Sequence, residues 1–173
     1  FIGKLDSLFT ADSKLEGEST SVDISGLIGQ YAHGNEPSHH IAHLYNYVGQ
    51  PWRTQEIVDE VLHTLYFNNP DGLSGNEDCG QMSAWYILNA MGFYQVCPGK
   101  PVYSIGRPLF NEATVHLKDG KSFKVIAHNN SRDNKYVRSI VLNGNKLETP
   151  FFTHQDIVDG GTLELTMGSE PLK

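Results

Sequence analysis

The residues best suited to chemistry lie in a short polar loop at positions 75–80. Asn76, Glu77 and Asp78 follow one another between Gly75 and Gly80. Adjacent carboxylates on a loop can activate a water molecule, because repulsion between them can raise one pKa towards neutrality. The alternative is a solvated loop in which Asp78 caps the helix that follows. Taken alone, the acidic pair favours the cap.

The side chains that follow this loop favour a binding site. Gln81, Trp85 and Tyr86 supply an amide and two aromatic rings. Sugars are bound by stacking on aromatic rings and by many polar contacts. These neighbours therefore shift the interpretation of the loop away from a plain cap.

A second candidate site lies at His33-Gly34-Asn35-Glu36-Pro37. Amide and carboxylate oxygens are ligands that calcium accepts, so Asn35 and Glu36 are candidate ligands of a hard cation. The same two residues suit the N-terminal cap of a helix. On spacing alone, the cap is the preferred interpretation.

Three histidines, His39, His40 and His43, follow this segment. His39 and His43 are four residues apart, a spacing that can hold zinc on a helix. The sequence has no HExxH motif, and neither a cysteine nor a carboxylate stands beside them at ligand spacing. Hydrogen bonding to a sugar or to the core is therefore favoured over a zinc site.

The elements that must position these residues change in character along the chain. Up to about Gly92, apolar residues recur every three or four positions, which predicts helices. The predicted helices start at Phe1, span Pro37–Val48, start at Pro51, and span Gln81–Met91, with Gly49 and Gly92 as stops. The long loops at 16–34 and 68–80 are typical of functional segments.

After Pro98 the apolar pattern alternates, which predicts strands. The alternating runs are Thr114–Leu117, Ser122–Ala127, Tyr136–Leu142 and Thr162–Met167, and Asp119-Gly120 predicts a hairpin between the first two. The fold class expected is therefore α+β, with an antiparallel sheet or sandwich packed against the helices.

Composition excludes several classes of protein. The net charge of -7 argues against a nucleic-acid partner, and no apolar run reaches the roughly 18 residues of a membrane span. No GxSxG, GxGxxG or GxxxxGK[ST] motif is present, so neither a serine hydrolase nor a phosphate-binding loop is indicated. Cys79 and Cys97 are interpreted as buried free thiols rather than a disulfide.

Several stretches of the chain together resemble glycoside hydrolase family 92. They are YAHGNEPSHH at 31–40, YNYVGQPW at 45–52, GNEDCGQMSAWY at 75–86 and HQDIVDGGTLEL at 154–165. Members of that family are calcium-dependent, inverting, exo-acting α-mannosidases. The resemblance covers essentially the whole chain.

The resemblance implies an architecture and a setting. Residues 1–97 would be the last helices of an (α/α)6 toroid, and residues 98–173 a β-rich segment that follows it. The partners would be a mannose-containing glycan and the remaining N-terminal part of the same enzyme. The location would be secreted, periplasmic or at the outer surface, as in bacterial enzymes of glycan degradation.

The resemblance also implies roles for the candidate residues. Asn35 and Glu36 would bind calcium, which reverses the preference for a cap. Asp78 would be the general base, supported by Glu77 or Asn76, and would activate water on the face opposite the leaving group. In inverting enzymes the acid and the base stand roughly 6.5–9.5 Å apart. The predicted substrate-binding residues are His33, Gly34, Asn76, Gln81 and His39.

One part of the family pattern is not found. The family's general acid is a glutamate upstream of the matched stretches, and Glu16 and Glu18 lack its context. The chain, which opens inside a helical pattern, is expected to be a piece of a longer enzyme and inactive alone. The alternatives are a non-catalytic carbohydrate-binding or structural module and a zinc hydrolase. Gly34 leaves space that predicts tolerance of linkages other than α-1,2.

Overall fold

The computed structural model describes residues 1–15, 21 and 24–173. Glu16 and Glu18, the acidic residues considered above as proton donors, lie outside these described residues. Within them, helices and sheets are both present, so the predicted α+β class is confirmed.

The first half of the chain is mainly helical. It contains helix α1 (Ile2–Thr10), the short strands β1 (Leu27–Ile28) and β2 (Tyr31–Ala32), helix α2 (Pro51–Thr64) and helix α3 (Gln81–Met91). Pro51 begins α2, where its missing N–H is not needed. Gly92 ends α3 with a φ of 105°, a left-handed conformation that favours glycine.

The predicted helix at Pro37–Val48 is wrong in type. The chain instead forms two 3₁₀ segments, Glu36–Ser38 and Ile41–Val48. The side chain of Asn46 donates to Ser104 Oγ at 2.6 Å and to the carbonyl oxygen of Ile105 at 2.8 Å. Such buried tertiary bonds override the local helical preference. The predicted stop at Gly49 is confirmed, with a φ of 74°.

The second half contains two sheets. Strands β3 (Phe93–Tyr94), β4 (Val102–Ile105) and β9 (Phe151–Thr153) form a three-stranded sheet. The larger sheet has the order β5-β6-β10-β7-β8. Its strands are Glu112–His116, Ser122–His128, Tyr136–Leu142, Asn145–Lys146 and Gly161–Gly168, numbered β5, β6, β7, β8 and β10 in chain order. The short helix α4 (His154–Val158) lies between β9 and β10.

The larger sheet is mixed, so the predicted purely antiparallel sheet is wrong. β10 pairs with β7 antiparallel but with β6 parallel, with Leu163 opposite Val125. Alternation along a strand determines which side chains face the core, but it carries no information about the direction of the neighbouring strand. The predicted hairpin at Asp119-Gly120 is confirmed by the antiparallel pairing of β5 with β6.

The helical and β-rich halves pack against each other. β3 and β4 pair across the predicted boundary at residues 97 and 98. On α2, Gln55 accepts from the backbone N–H of Val137 at 3.1 Å, and Glu56 accepts from the hydroxyl of Tyr136 at 2.8 Å. These bonds join α2 of the helical half to β7 of the larger sheet.

Two further expectations concern the surface. Cys79 and Cys97 are free, as expected, but both are exposed, so their predicted burial is wrong. Among the helices of the described residues, none combines the length and the apolar character of a membrane span.

Candidate active site

The acidic loop is joined to α3 through the side chain of Glu77. Its two carboxylate oxygens accept from the backbone N–H and from the hydroxyl of Ser83, each at 3.0 Å. The N-cap position itself is Gly80, which has no side chain to offer. The side chain of Glu77 therefore satisfies one of the exposed N–H donors of the first turn, that of Ser83. A cap by the side chain of Asp78 stays a prediction.

Asp78 lies where the backbone is strained. Asp78, Cys79 and Gly80 have consecutive positive φ values of 52°, 54° and 93°. A residue other than glycine pays about 1–2 kcal/mol for this conformation. The backbone carbonyl of Asp78 accepts from the N–H of Gln81 at 3.1 Å, which helps to hold the turn. Strain of this kind is concentrated at functional sites, and here it holds a half-buried carboxylate next to a helix N-terminus.

The second candidate loop presents its oxygens to solvent. Asn35 occupies the N-cap position of the 3₁₀ segment at Glu36, but its side chain makes no capping bond. Asn35 and Glu36 are both exposed. The hydroxyl of Ser38 lies 2.6 Å from the carbonyl oxygen of Ala32 and 2.7 Å from that of Asn35, which closes the turn. The predicted side-chain cap by Asn35 is therefore wrong.

The two loops meet at a pair of glycines. A Cβ atom placed on Gly75 would lie 3.5 Å from the carbonyl oxygen of Gly34 and 3.0 Å from the hydroxyl of Ser25. The backbone of Gly75 also has a φ of 81°. This approach brings the segment with Asn35 and Glu36 next to the segment with Asp78. Asn76, the third polar residue of the acidic loop, is exposed beside this contact.

Beneath the two loops lies a buried hydrogen-bonded cluster. His39 Nε2 lies 2.9 Å from the carbonyl oxygen of His33, and His39 Nδ1 lies 3.1 Å from the side-chain amide of Gln81. The indole N–H of Trp85 donates to the carbonyl oxygen of His39 at 3.0 Å. The rings of His33 and His39 are stacked with centroids 4.7 Å apart. α3 is thus bonded directly to His39 and, through the ring of His39, to the carbonyl oxygen of His33.

The partners determine the tautomer of each ring. A carbonyl oxygen only accepts and an amide NH₂ only donates, so His39 carries its proton on Nε2. His33 Nε2 lies 2.7 Å from the hydroxyl of Tyr66, which itself donates to the carbonyl oxygen of Met82 at 3.1 Å. His33 is therefore also protonated on Nε2. Burial lowers the pKa of His39, and burial together with the nearby charge of His39 lowers the pKa of His33 to about 3.

Burial changes the interpretation of several predicted contacts. His33 and His39 are 0% and 1% exposed, and their ring nitrogens are engaged by protein groups. Direct contact of these two residues with a sugar stays a prediction. Trp85 is fully buried, so the interpretation of this ring as a stacking surface is wrong. Gln81 is half-buried at the start of α3.

His43 belongs to a separate cluster. Its Nε2 lies 2.8 Å from Asn89 Oδ1 and its Nδ1 lies 3.0 Å from Ser104 Oγ, which joins α3 to β4. His39 and His43 therefore bond to different parts of α3, and only His43 is also bonded to β4. Within the described ranges, no group of three or more histidine, cysteine or acidic residues could hold a metal ion. The zinc alternative thus has no support in the geometry.

A calcium ion suits the chemistry of the second loop only in part. The amide oxygen of Asn35 and the carboxylate of Glu36 are hard donors on an exposed turn, which agrees with calcium in kind. Calcium takes about 6–8 oxygen ligands, more than these two side chains supply. The remaining ligands would have to come from water, from a substrate or from other parts of a longer protein.

A cavity of about 450 Å³ opens beside α3. Among the described residues, its lining includes Phe67, Ser83 and Tyr86, but neither Asp78 nor Glu36. Local sequence patterns do not reveal this cavity. They also miss Tyr31, Tyr66 and Tyr94, whose hydroxyls bond to the buried cluster, because isolated tyrosines carry no spacing signal.

Comparison with known proteins decides the class. The model of the glycosyl hydrolase family 92 catalytic domain matches residues 1–169. The chain belongs to glycosyl hydrolase family 92. The family resemblance seen in the sequence is therefore confirmed.

Solved structures of family 92 have the same fold over this region. An α-mannosidase of Bacteroides thetaiotaomicron, in complex with mannoimidazole, is 44% identical with a TM-score of 0.92, over 99% of this chain and 22% of that one. An inverting mannosidase from strain VPI-5482 of that species is 43% identical with a TM-score of 0.82, over 98% of this chain and 24% of that one.

Among the curated proteins, one relative is an uncharacterized secreted glycosidase of Arthroderma benhamiae. It is 31% identical over 140 residues, which cover 79% of this chain and 18% of that protein. The chain thus spans about a fifth of the length of the relatives it matches.

Proposed function

We propose that this chain forms the base-bearing part of an inverting exo-α-mannosidase that removes terminal α-linked mannose from glycans. The observation that carries the proposal is the meeting of the two candidate loops at Gly34 and Gly75. This contact places a carboxylate loop beside an exposed set of oxygen donors, in a chain of glycosyl hydrolase family 92. Relatives of that family are named α-mannosidases, one of them inverting and one in complex with mannoimidazole.

Asp78 is the general base in this proposal. The carboxylate of its neighbour Glu77 is held at both oxygens by Ser83, which suits a structural role. Asp78 is half-buried on a strained turn, so its position is well defined. It accepts a proton from the water that attacks the anomeric carbon, on the face opposite the leaving group. Asn76, exposed beside Glu77, is the supporting polar neighbour.

In this proposal the proton donor is not among the described residues of this chain. An inverting glycosidase needs a carboxylic acid about 6.5–9.5 Å from the base, so that water fits between base and sugar. We assign that acid to the remaining part of the enzyme, which would also complete the (α/α)6 toroid and the sandwich. The chain alone is then expected to show no turnover of a mannobiose.

Asn35 and Glu36 would hold a calcium ion. When bound, such an ion supplies a positive charge that orients sugar hydroxyls. Gly34, adjacent to these residues, leaves room near the leaving group and supports tolerance of linkages other than α-1,2. The name of the secreted relative supports export of the enzyme from the cell. His33, His39 and Gln81 support the site from beneath through the buried cluster.

The proposal is tested in the complete enzyme that carries this chain. Asp78→Asn removes the base with little change in size, so kcat on a mannobiose should fall by about 10²–10⁴-fold, with KM nearly unchanged. Glu77→Gln is the matched control at the adjacent position. Asn35→Ala with Glu36→Ala should weaken calcium binding measured by calorimetry. Full turnover by the Asp78→Asn enzyme would exclude this residue as the base.

A non-catalytic carbohydrate-binding role is the second candidate. The cavity beside α3 favours it, because Phe67 and Tyr86 offer aromatic surface and Asn68 and Asn69 offer amides. This role predicts glycan affinity that is independent of Asp78. Two results together would favour this role. Asp78→Asn would change neither the turnover nor the binding of a mannobiose, and Tyr86→Ala would abolish the binding.

A further inference from the structure

His39 is bonded on both sides to the two candidate loops. Its Nε2–H donates to the carbonyl oxygen of His33, the residue that precedes the Gly34–Glu36 turn. Its Nδ1 accepts from Gln81, the first residue after the acidic loop. A single buried ring thus spans the space between the segment with Asn35 and the segment with Asp78.

Two other contacts strengthen this connection. The indole N–H of Trp85 donates to the carbonyl oxygen of His39 at 3.0 Å. Both the backbone and the ring of His39 are therefore bonded to α3. Beside it, the ring of His33 bonds to Tyr66, and Tyr66 bonds to the carbonyl oxygen of Met82. All of these contacts run from the 33–39 segment to the first turns of α3 or to a group bonded there.

We propose that His39 is a positioning residue that sets the separation of the Asn35–Glu36 loop from the Asp78 loop. The expected effect on kcat rests on the proposed function, whereas the expected effect on the separation of the two loops does not. His39 touches neither substrate nor reacting atoms in this role, because the ring is 1% exposed. It acts through the carbonyl oxygen of His33 and through Gln81.

The chemistry of a neutral imidazole suits this task. The ring offers one donor and one acceptor on opposite sides, and the two partners are a pure acceptor and an amide donor. A glutamine side chain also offers one donor group and one acceptor. A leucine fills similar space but offers neither, and it leaves the buried carbonyl oxygen of His33 without this partner.

His43 provides a matched control. It is equally buried, it has the same donor and acceptor arrangement, and it joins α3 to β4 rather than to the candidate loops. Replacement of His43 should therefore cost stability without changing the separation of the loops. A comparison of the His39 and His43 variants therefore separates the effect of bonding to the candidate loops from the effect of losing a buried histidine.

The experiment compares His39→Leu, His39→Gln and His43→Leu in the complete enzyme. Hydrogen exchange followed by mass spectrometry should show the amides of 34–36 and 76–80 exchanging at least about tenfold faster in His39→Leu alone. With a mannobiose, kcat should fall about 10–100-fold in His39→Leu, with a smaller change in KM, and recover in part in His39→Gln. His43→Leu should lower the melting temperature but retain kcat.

Equal exchange in the two loops of His39→Leu and wild type would overturn the inference. A kcat loss that follows the melting temperature alike in His39→Leu and His43→Leu would also overturn it. If His39→Leu does not fold, hydrogen exchange is measured in Gln81→Met instead. This replacement removes the amide that donates to His39, and it does so at a half-buried position. Exchange is measured without substrate, so a wild-type enzyme inactive on mannosides would refute the proposed function and leave this inference standing.

Discussion

Both carboxylate oxygens of Glu77 are bonded to Ser83, one through the backbone N–H and the other through the hydroxyl, each at 3.0 Å. The acceptor precedes the helix and the donor lies in its first turn. This relationship separates the roles of two adjacent carboxylates. Glu77 stabilises the start of α3, and Asp78 is the carboxylate that we propose for chemistry.

Replacement of Glu77 should therefore affect stability more than chemistry. Glu77→Ala removes the cap and should destabilise the start of α3 by about 0.5–2 kcal/mol, as lost caps do. Glu77→Gln keeps one acceptor oxygen, so it should retain most of the stability and most of kcat. Thermal unfolding and steady-state kinetics check both. A Glu77→Gln enzyme as inactive as Asp78→Asn would contradict this assignment.

The ion pair between Asp59 and Arg107 should be important for stability. Asp59 lies on α2, and Arg107 follows β4. Arg107 Nε approaches Asp59 Oδ1 to 2.8 Å without the alignment of a good hydrogen bond, so the contact is mainly ionic. Both residues are buried. Arg107→Leu should cost about 3–5 kcal/mol, because it leaves a buried carboxylate without its main partner.

A double-mutant cycle tests the cause of that loss. Asp59→Leu combined with Arg107→Leu removes both charges and should be less destabilising than either single replacement. His63 and Arg132 also lie within 4 Å of Asp59 Oδ1, at 3.2 Å and 3.7 Å. Additive losses in the cycle would show that the two charges do not depend on each other.

Acid should destabilise the fold through its buried histidines. Burial lowers the pKa of His43 to about 4, and burial with the charge of His39 lowers the pKa of His33 to about 3. The unfolded chain titrates near about 6.5. Above that pH these histidines are neutral in both the folded and the unfolded chain, so their contribution to the free energy of unfolding is constant. Below it the unfolded state binds the additional protons, so each histidine removes up to about 1.4 kcal/mol per pH unit until its folded pKa is reached.

Unfolding midpoints between about pH 7.5 and about pH 5 measure this slope. His43→Gln keeps a donor for Asn89 and an acceptor for Ser104 but cannot be protonated. The pKa of His43 is lowered to about 4, so His43→Gln should reduce the slope over this range. The same slope in wild type and His43→Gln would argue against a buried neutral ring at this position.

Gly72 should tolerate no side chain. A Cβ atom there would lie 2.0 Å from the carbonyl oxygen of Phe67, and Phe67 donates its N–H to Gly72 at 3.0 Å. Gly72→Ala must therefore open the turn that leads to the acidic loop, and it should lower both the melting temperature and kcat. Gly99→Ala is the control, because nothing lies within 4 Å of its Cβ position. Equal melting temperatures for the two variants would contradict the predicted collision.

Local signals predict much of the fold. The bounds of α3 and of β7 agree with the structure, because a glycine stop and strict alternation act over a few residues. The segment at 37–48 does not follow its local pattern, since Asn46 is bonded to the β-rich half. The parallel partner of β10 and the exposure of Cys79 depend on distant parts of the chain, which spacing does not report.

The candidate site shows the same division. The polar loops at 34–36 and 75–80 stand out from residue types alone, and the family resemblance supplies their roles. Their meeting at Gly34 and Gly75 is a long-range contact, so no local pattern predicts it. The cap by Glu77 is missed for a related reason. Its partner, Ser83, lies beyond the usual cap spacing, across the strained turn at Asp78.

The position of β10 determines when the larger sheet can form during translation. This strand, Gly161–Gly168, lies between β6 and β7, both of which leave the ribosome earlier. Until residue 168 has been made, β6 and β7 each present an unpaired edge to their surroundings, and such edges pair readily with other chains. A nascent chain arrested before Gly161 would thus expose two unpaired strand edges, one on β6 and one on β7. The ribosome delivers this central strand after the other four, so the larger sheet can close only after β10 has been made.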